Sequence, residues 1–145
     1  MVLHSTYQRD LDAWHKIPES KRLENLARFY GIQGWSGGPH LFVDDEGVWV
    51  FNPLTKPGVH SPSWNKQSIG VDMVGNFSTT KGNAAVLDNA VKAIAIIDAA
   101  LGLDTETLKF HSEDPRSFGR DCPGKTVDKV DLIHRIGALI PSHQT

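Results

Sequence analysis

Apolar positions along this chain alternate between short dense runs and steps of three or four, and the changes of spacing mark its elements. Residues 1–4, Met-Val-Leu-His, are a short apolar run that reads as a first strand. Residues 9–16 have room for one or two helical turns. Leu23, Leu26, Phe29 and Tyr30 fall at helical spacing, with Pro18 before them and Gly31 after, which predicts a helix over 19–30. The Gly- and Ser-rich run 34–39 is a loop, and strands are expected at 40–44 and 47–51 around an Asp-Glu-Gly turn. Pro53, Pro57 and Pro62 break up residues 52–67. Residues 68–77 read as a mostly apolar strand interrupted by Asp72. The strongest helix signal is the alanine-rich stretch between a capping Asn83 and a closing Gly102; its polar face, Asp88 and Lys92, is narrow, so most of it should be buried. A strand at 107–111 and a helix at 126–140, capped by Thr126 and stopped by Pro141, complete the set, and the last residues read as a loose tail. Strands interspersed with helices predict an α/β fold, a single domain over 1–145 with a central mixed, mostly parallel β-sheet flanked by helices.

Composition narrows the function classes. With 145 residues, 39% apolar and 22% charged, the chain has the makings of an ordinary globular core. A formal net charge of −2 gives no general attraction to nucleic acid or to anionic membranes, so neither is expected as a partner. One cysteine excludes an internal disulfide. The first ten residues lack a basic region and a long apolar run, and no segment approaches the roughly 18 apolar residues of a membrane span. Synthesis in the cytoplasm without a signal peptide is the expectation, and a monomer is expected.

The single cysteine, Cys122, sits among Gly, Pro, Asp and Arg rather than in an apolar element. His4 and His111 each stand at the end of an expected strand. Ligands in open α/β sheets bind beyond the carboxyl ends of strands, so two parallel neighbours would bring these imidazoles together, and the loop after His111 could return Cys122 to them. Two imidazoles and a thiolate suit zinc, and three protein ligands leave a fourth position open, as catalytic zinc sites do. On spacing alone, Cys122 reads equally as a buried, inert thiol.

Residues 58–77 resemble the central motif of the type-2 N-acetylmuramoyl-L-alanine amidases, a family that includes phage lysozyme-like amidases, cytosolic muropeptide-recycling amidases and animal peptidoglycan recognition proteins. The matching positions are Gly58, His60, Asn65, Ser68, Ile69, Gly70 and Gly75. Residues 34–47 resemble the hairpin that precedes this motif, 2–6 the first metal segment and 108–125 the last. The resemblance implies one Zn²⁺ per chain on His4, His111 and Cys122, a peptidoglycan or muropeptide substrate, and hydrolysis of the amide between the lactyl group of N-acetylmuramic acid and the L-alanine of the stem peptide. An endolysin-like enzyme acting on the cell wall, or a cytosolic one, would fit.

Other roles follow from the residues and this resemblance together. Asp72, a charge within an apolar strand, is the candidate proton acceptor; otherwise it faces solvent on an edge strand. Arg120 stays protonated and could steady an oxyanion; otherwise it pairs on the surface with Glu113 or Asp114. His60, Asn65, Trp64 and His40 are candidate substrate contacts, with a packing or structural role as the alternative for His60, Trp64 and His40. Pro39 departs from the family, whose phage members often carry a catalytic Tyr there, so either Asp72 or His40 takes over or the rate is lower. His15, His134 and His143 receive no role. Two other functions compete: a non-catalytic peptidoglycan-recognition module, against which Cys122 argues, and a cysteine-nucleophile amidase using Cys122 and His111.

Overall fold

In the computed structural model, which describes residues 1–7, 10–79, 81–117 and 119–141, five short strands form one sheet. They are β1 (Val2–Ser5), β2 (Leu41–Val43), β3 (Val48–Val50), β4 (Gly70–Met73) and β5 (Lys109–Phe110). Their order is β3-β2-β4-β1-β5. β1 runs parallel to both β4 and β5, β2 is parallel to β4, and only the β2–β3 hairpin is antiparallel. The sheet is therefore mixed and mostly parallel, as expected. Four helices accompany it: α1 (Leu11–Lys16), α2 (Glu19–Ile32), α3 (Ala84–Leu101) and α4 (Lys129–Leu139).

Alternation along the strands sorts their side chains onto two faces. Leu3, Leu41, Val43, Val71 and Met73 join Val86, Val91 and Ile94 of α3 and Leu132 and Ile136 of α4 in the larger core. Phe42, between Leu41 and Val43, packs instead with Trp14 of α1 and Leu26 of α2. His4 and Asp72 lie in register with Phe42, directly and through one another, so these polar side chains share the face of α1 and α2.

Asn83 caps α3 by accepting from the backbone N–H groups of Ala85 and Val86, and Gly102 ends it at φ 66°. Most of α3 is buried or half-buried, as expected, but its outer face is open, with Ile96 69% exposed. The last helix starts later than expected. Asp128 caps it, while Thr126 is engaged at the carbonyl of Phe77. The strand expected over 68–77 is confined to β4, because Gly75, at φ 137°, turns the chain and donates to Thr6 Oγ1. The strand expected over 107–111 shrinks to two residues, with 3-10 turns at Thr105–Thr107 and His111–Glu113 on either side. No helix among the described residues is long and apolar enough to cross a membrane. The expected tail at 142–145, with His143, lies outside the described residues.

Candidate metal centre and cleft

Strand register brings the chemistry together. His4 pairs with Asp72 across β1 and β4. Leu3 pairs with Phe110, so His111 follows directly beside His4, with ring centroids 4.5 Å apart. Cys122 returns to the same point: its sulfur accepts from Ser5 N at 3.3 Å, and its carbonyl accepts from Ser112 N at 2.9 Å. One ligand atom from each of His4, His111 and Cys122 lies within 4.8 Å of the others. Both histidines are buried and Cys122 is half-buried.

Hydrogen bonding fixes which imidazole nitrogens are available. Ser68 Oγ donates to the carbonyl of Trp64 at 2.7 Å, so its oxygen accepts from Nε2–H of His60 at 3.4 Å. Neutral His60 then presents Nδ1 as an acceptor, and Nε2 of His4 donates to it at 3.0 Å. Nδ1 of His4 is left unprotonated. Nε2 of His111 is bonded to Ser117 Oγ at 2.9 Å, which leaves its Nδ1 in turn. Each imidazole is thus held at one nitrogen and open at the other, the arrangement found around metal-ligating histidines.

Electrostatics keeps the donors neutral. Burial, then the rings of His111 and His60 and the charge of Arg120, hold His4 well below the usual histidine range. His60 is lowered to about 4, first by burial and then by His40 and His111. His111 is lowered to about 4 by burial and by Arg120, with Asp114 opposing. Burial and the Asp72 carboxylate push the Cys122 thiol up to about 12. A thiol this reluctant to ionise beside histidines this reluctant to protonate is poorly set up as a thiolate–imidazolium nucleophile, which weakens the cysteine-hydrolase alternative. A divalent cation reverses the balance, since a coordinating thiol gives up its proton. Two neutral imidazoles and one sulfur fit zinc in both charge and softness.

The three residues open into a cleft of about 680 Å³, also lined by Asp72, Arg120, His60, Asn65 and Pro39. Asp72 is 8% exposed and lies on a central strand, so the edge-strand, solvent-facing alternative is removed. Arg120 is exposed, and Glu113, one of the partners considered for it, is bound by Lys129 at 2.9 Å. Asn65 braces its own loop, its Oδ1 accepting from the N–H groups of His60 and Ser61 at 2.9 and 2.8 Å.

Two expected substrate contacts fall elsewhere. His40 is buried, with Nε2 donating to the carbonyl of Lys56 at 2.7 Å and Nδ1 accepting from Gly70 N at 3.0 Å. Both ring nitrogens are committed to backbone partners, so His40 braces the fold. Trp64 is half-buried outside the cleft lining. The glycines around these rings have a steric reason: a Cβ on Gly70 would stand 2.6 Å from the His60 ring, and one on Gly58 2.8 Å from that of His40.

Sequence reasoning missed other cleft residues. Phe29, Tyr30 and Trp35 line it, and Trp35, 48% exposed, stacks on Tyr30 with centroids 5.7 Å apart. In the sequence, Phe29 and Tyr30 show only as apolar helix positions, and Trp35 as part of a loop. Ser117, also in the lining, carries no local signal, because its partner is set by tertiary structure. Among the described residues, a second group of potential ligands, His15, Asp45 and Glu46, lies at the surface, with His15 Nε2 hydrogen-bonded to Asp45 at 2.7 Å.

No curated protein sequence matches this chain. Solved structures with the same fold include the N-acetylmuramoyl-L-alanine amidase LysC from Clostridium intestinale URNW, at 18% identity and a TM-score of 0.76, covering 94% of this chain and 83% of that one. A mutant endolysin from Bacillus subtilis is similar at 24% identity and a TM-score of 0.70, over 94% and 84% of the two chains. The drosophila peptidoglycan recognition protein SD is similar at 20% identity and a TM-score of 0.72, over 90% and 76%. Identities this low carry the fold alone. The sequence itself decides the family, since residues 1–125 match the model of the N-acetylmuramoyl-L-alanine amidases, and the chain belongs to that family.

Proposed function

We propose that this protein hydrolyses the amide between N-acetylmuramic acid and L-alanine in peptidoglycan, with one zinc ion held by His4, His111 and Cys122. The convergence of those three donors within 4.8 Å on a cleft carries the reading. Zinc at such a site supplies Lewis-acid polarisation of a carbonyl and a nucleophile at neutral pH.

The chain's own groups do the rest. Asp72, buried beside Cys122 and open to the cleft, takes a proton from the attacking water and passes it to the leaving amine, a role worth typically ~10²–10⁴-fold. Arg120 is near enough for its charge to be felt at His4, His111 and Cys122, and it steadies the negative charge that develops on the carbonyl oxygen. His60 acts through His4, holding its tautomer, and lines the cleft where substrate lies. Trp35 and Tyr30 offer an aromatic surface to a sugar ring or the stem peptide. On this reading the chain is one domain that acts as a monomer on cell wall, in the manner of an endolysin.

The test is turbidity loss of purified cell walls, with and without a chelator, alongside metal analysis. Lysis that stops on chelation and returns with zinc supports the reading. Lysis that survives metal removal overturns it in favour of a thiol hydrolase. One bound zinc per chain with intact walls would move the protein to a recognition module.

A further inference from the structure

Asp114 is a buried carboxylate that the reaction outlined above leaves unused. It is 1% exposed. One oxygen accepts from Ser61 Oγ at 2.6 Å and Ser63 N at 3.0 Å. The other accepts from Ser63 Oγ and from Arg116 N, the latter at 2.8 Å. The serines lie 53 and 51 positions away along the chain, so this one side chain joins the loop after His60 to the turn after His111. Its own backbone continues the connection. Asp114 N donates to the carbonyl of His111 at 3.0 Å, and Ser117 N donates to that of Asp114 at 2.9 Å. Ser117 Oγ then meets Nε2 of His111 at 2.9 Å. The turn that the carboxylate closes is the turn that orients the imidazole.

We propose that Asp114 is a positioning residue for the metal centre, acting through Ser117 on His111 and through Ser61 and Ser63 on the loop that carries His60. The inference rests on the zinc reading above. Groups that orient a metal ligand from behind typically change metal affinity by about 10–100-fold when removed. A carboxylate that only stitched two loops together would change thermal stability and leave the affinity of the folded protein alone.

Zinc affinity is therefore measured by competition with a chromophoric chelator for the wild-type, Ser117→Ala and Asp114→Asn proteins, each checked for folding by circular dichroism. Both variants are expected to bind zinc about 10–100-fold more weakly, and Ser117→Thr, which keeps a hydroxyl, to recover most of the loss. Either alanine or asparagine variant, folded and with affinity within about twofold of wild type, overturns the proposal; if Asp114→Asn does not fold, Ser117→Ala decides. A wild-type protein that binds no zinc is a separate result, which removes the zinc reading and this inference with it.

Discussion

Cys122 illustrates how a side chain's chemistry is set by what surrounds it. In the metal-free protein, burial and Asp72 keep it a thiol. Replacing it with serine removes the one soft donor while changing little volume. Cys122→Ser is expected to abolish zinc binding and wall lysis, with stability of the metal-free protein changed by less than about 1 kcal/mol. Urea unfolding beside a lysis assay checks both halves. The neighbouring histidines make acid stability a second observable. Their ordinary pKa is near 6.5, and the fold lowers His60 and His111 to about 4. Above pH 6.5 neither folded nor unfolded chain binds these protons, so they contribute nothing. As pH falls below 6.5 the unfolded chain takes up protons that the folded site refuses, and stability declines until about pH 4. Urea midpoints of metal-free protein between pH 7 and 4 should fall; a flat or rising midpoint contradicts the assignment. At this scale much was legible beforehand. A histidine at each of two strand ends and a cysteine among turn formers were visible in the chain. Nothing local announces that Lys56 and Gly70 occupy the two nitrogens of His40.

Between elements, Asp44 is the main polar junction. It is fully buried at the end of β2, and its Oδ2 accepts from the indole N–H groups of Trp14 on α1 and Trp49 on β3, at 2.9 and 2.8 Å. Arg22 of α2 lies 5.4 and 5.5 Å from the same two rings and 3.9 Å from the carboxylate. Asp44→Ala would leave a buried guanidinium without a counter-charge, and a loss of about 3–5 kcal/mol in unfolding free energy is expected from urea titration. A loss under about 1 kcal/mol would mean that the aromatic packing holds α1 and α2 alone. Because α2 also carries Phe29 and Tyr30 into the cleft, this junction sets one wall of the site. Element identities were readable from spacing and caps, Asn83 and Gly102 above all. Boundaries were not, wherever a tertiary contact outbid a local one. Thr126 and Asp128 are both good caps, and the bond from Thr126 to the Phe77 carbonyl leaves the helix to Asp128.

Over the whole molecule, topology performs what no local pattern can. Residues 4, 72, 111 and 122 meet because β4, β1 and β5 are parallel neighbours and the loop after β5 doubles back to Ser5. That convergence was foreseeable only on the condition that the first and last strands pair, and sequence alone does not state pairings. The clasp at Asp114 was invisible for the same reason. The family match ends at residue 125, yet α4 beyond it packs Leu132 and Ile136 into the core shared with α3 and the sheet. The far face of the sheet thus serves as a backing, and the face of α1 and α2 carries His4 and Asp72. On the proposed reading, the sheet delivers three donors to one ion. Anomalous diffraction at the zinc edge, from crystals grown with zinc, tests it most directly. A peak is expected about 2.0–2.3 Å from a nitrogen of His4, a nitrogen of His111 and the sulfur of Cys122. A peak only at His15, Asp45 and Glu46, or none between the three donors, would contradict it.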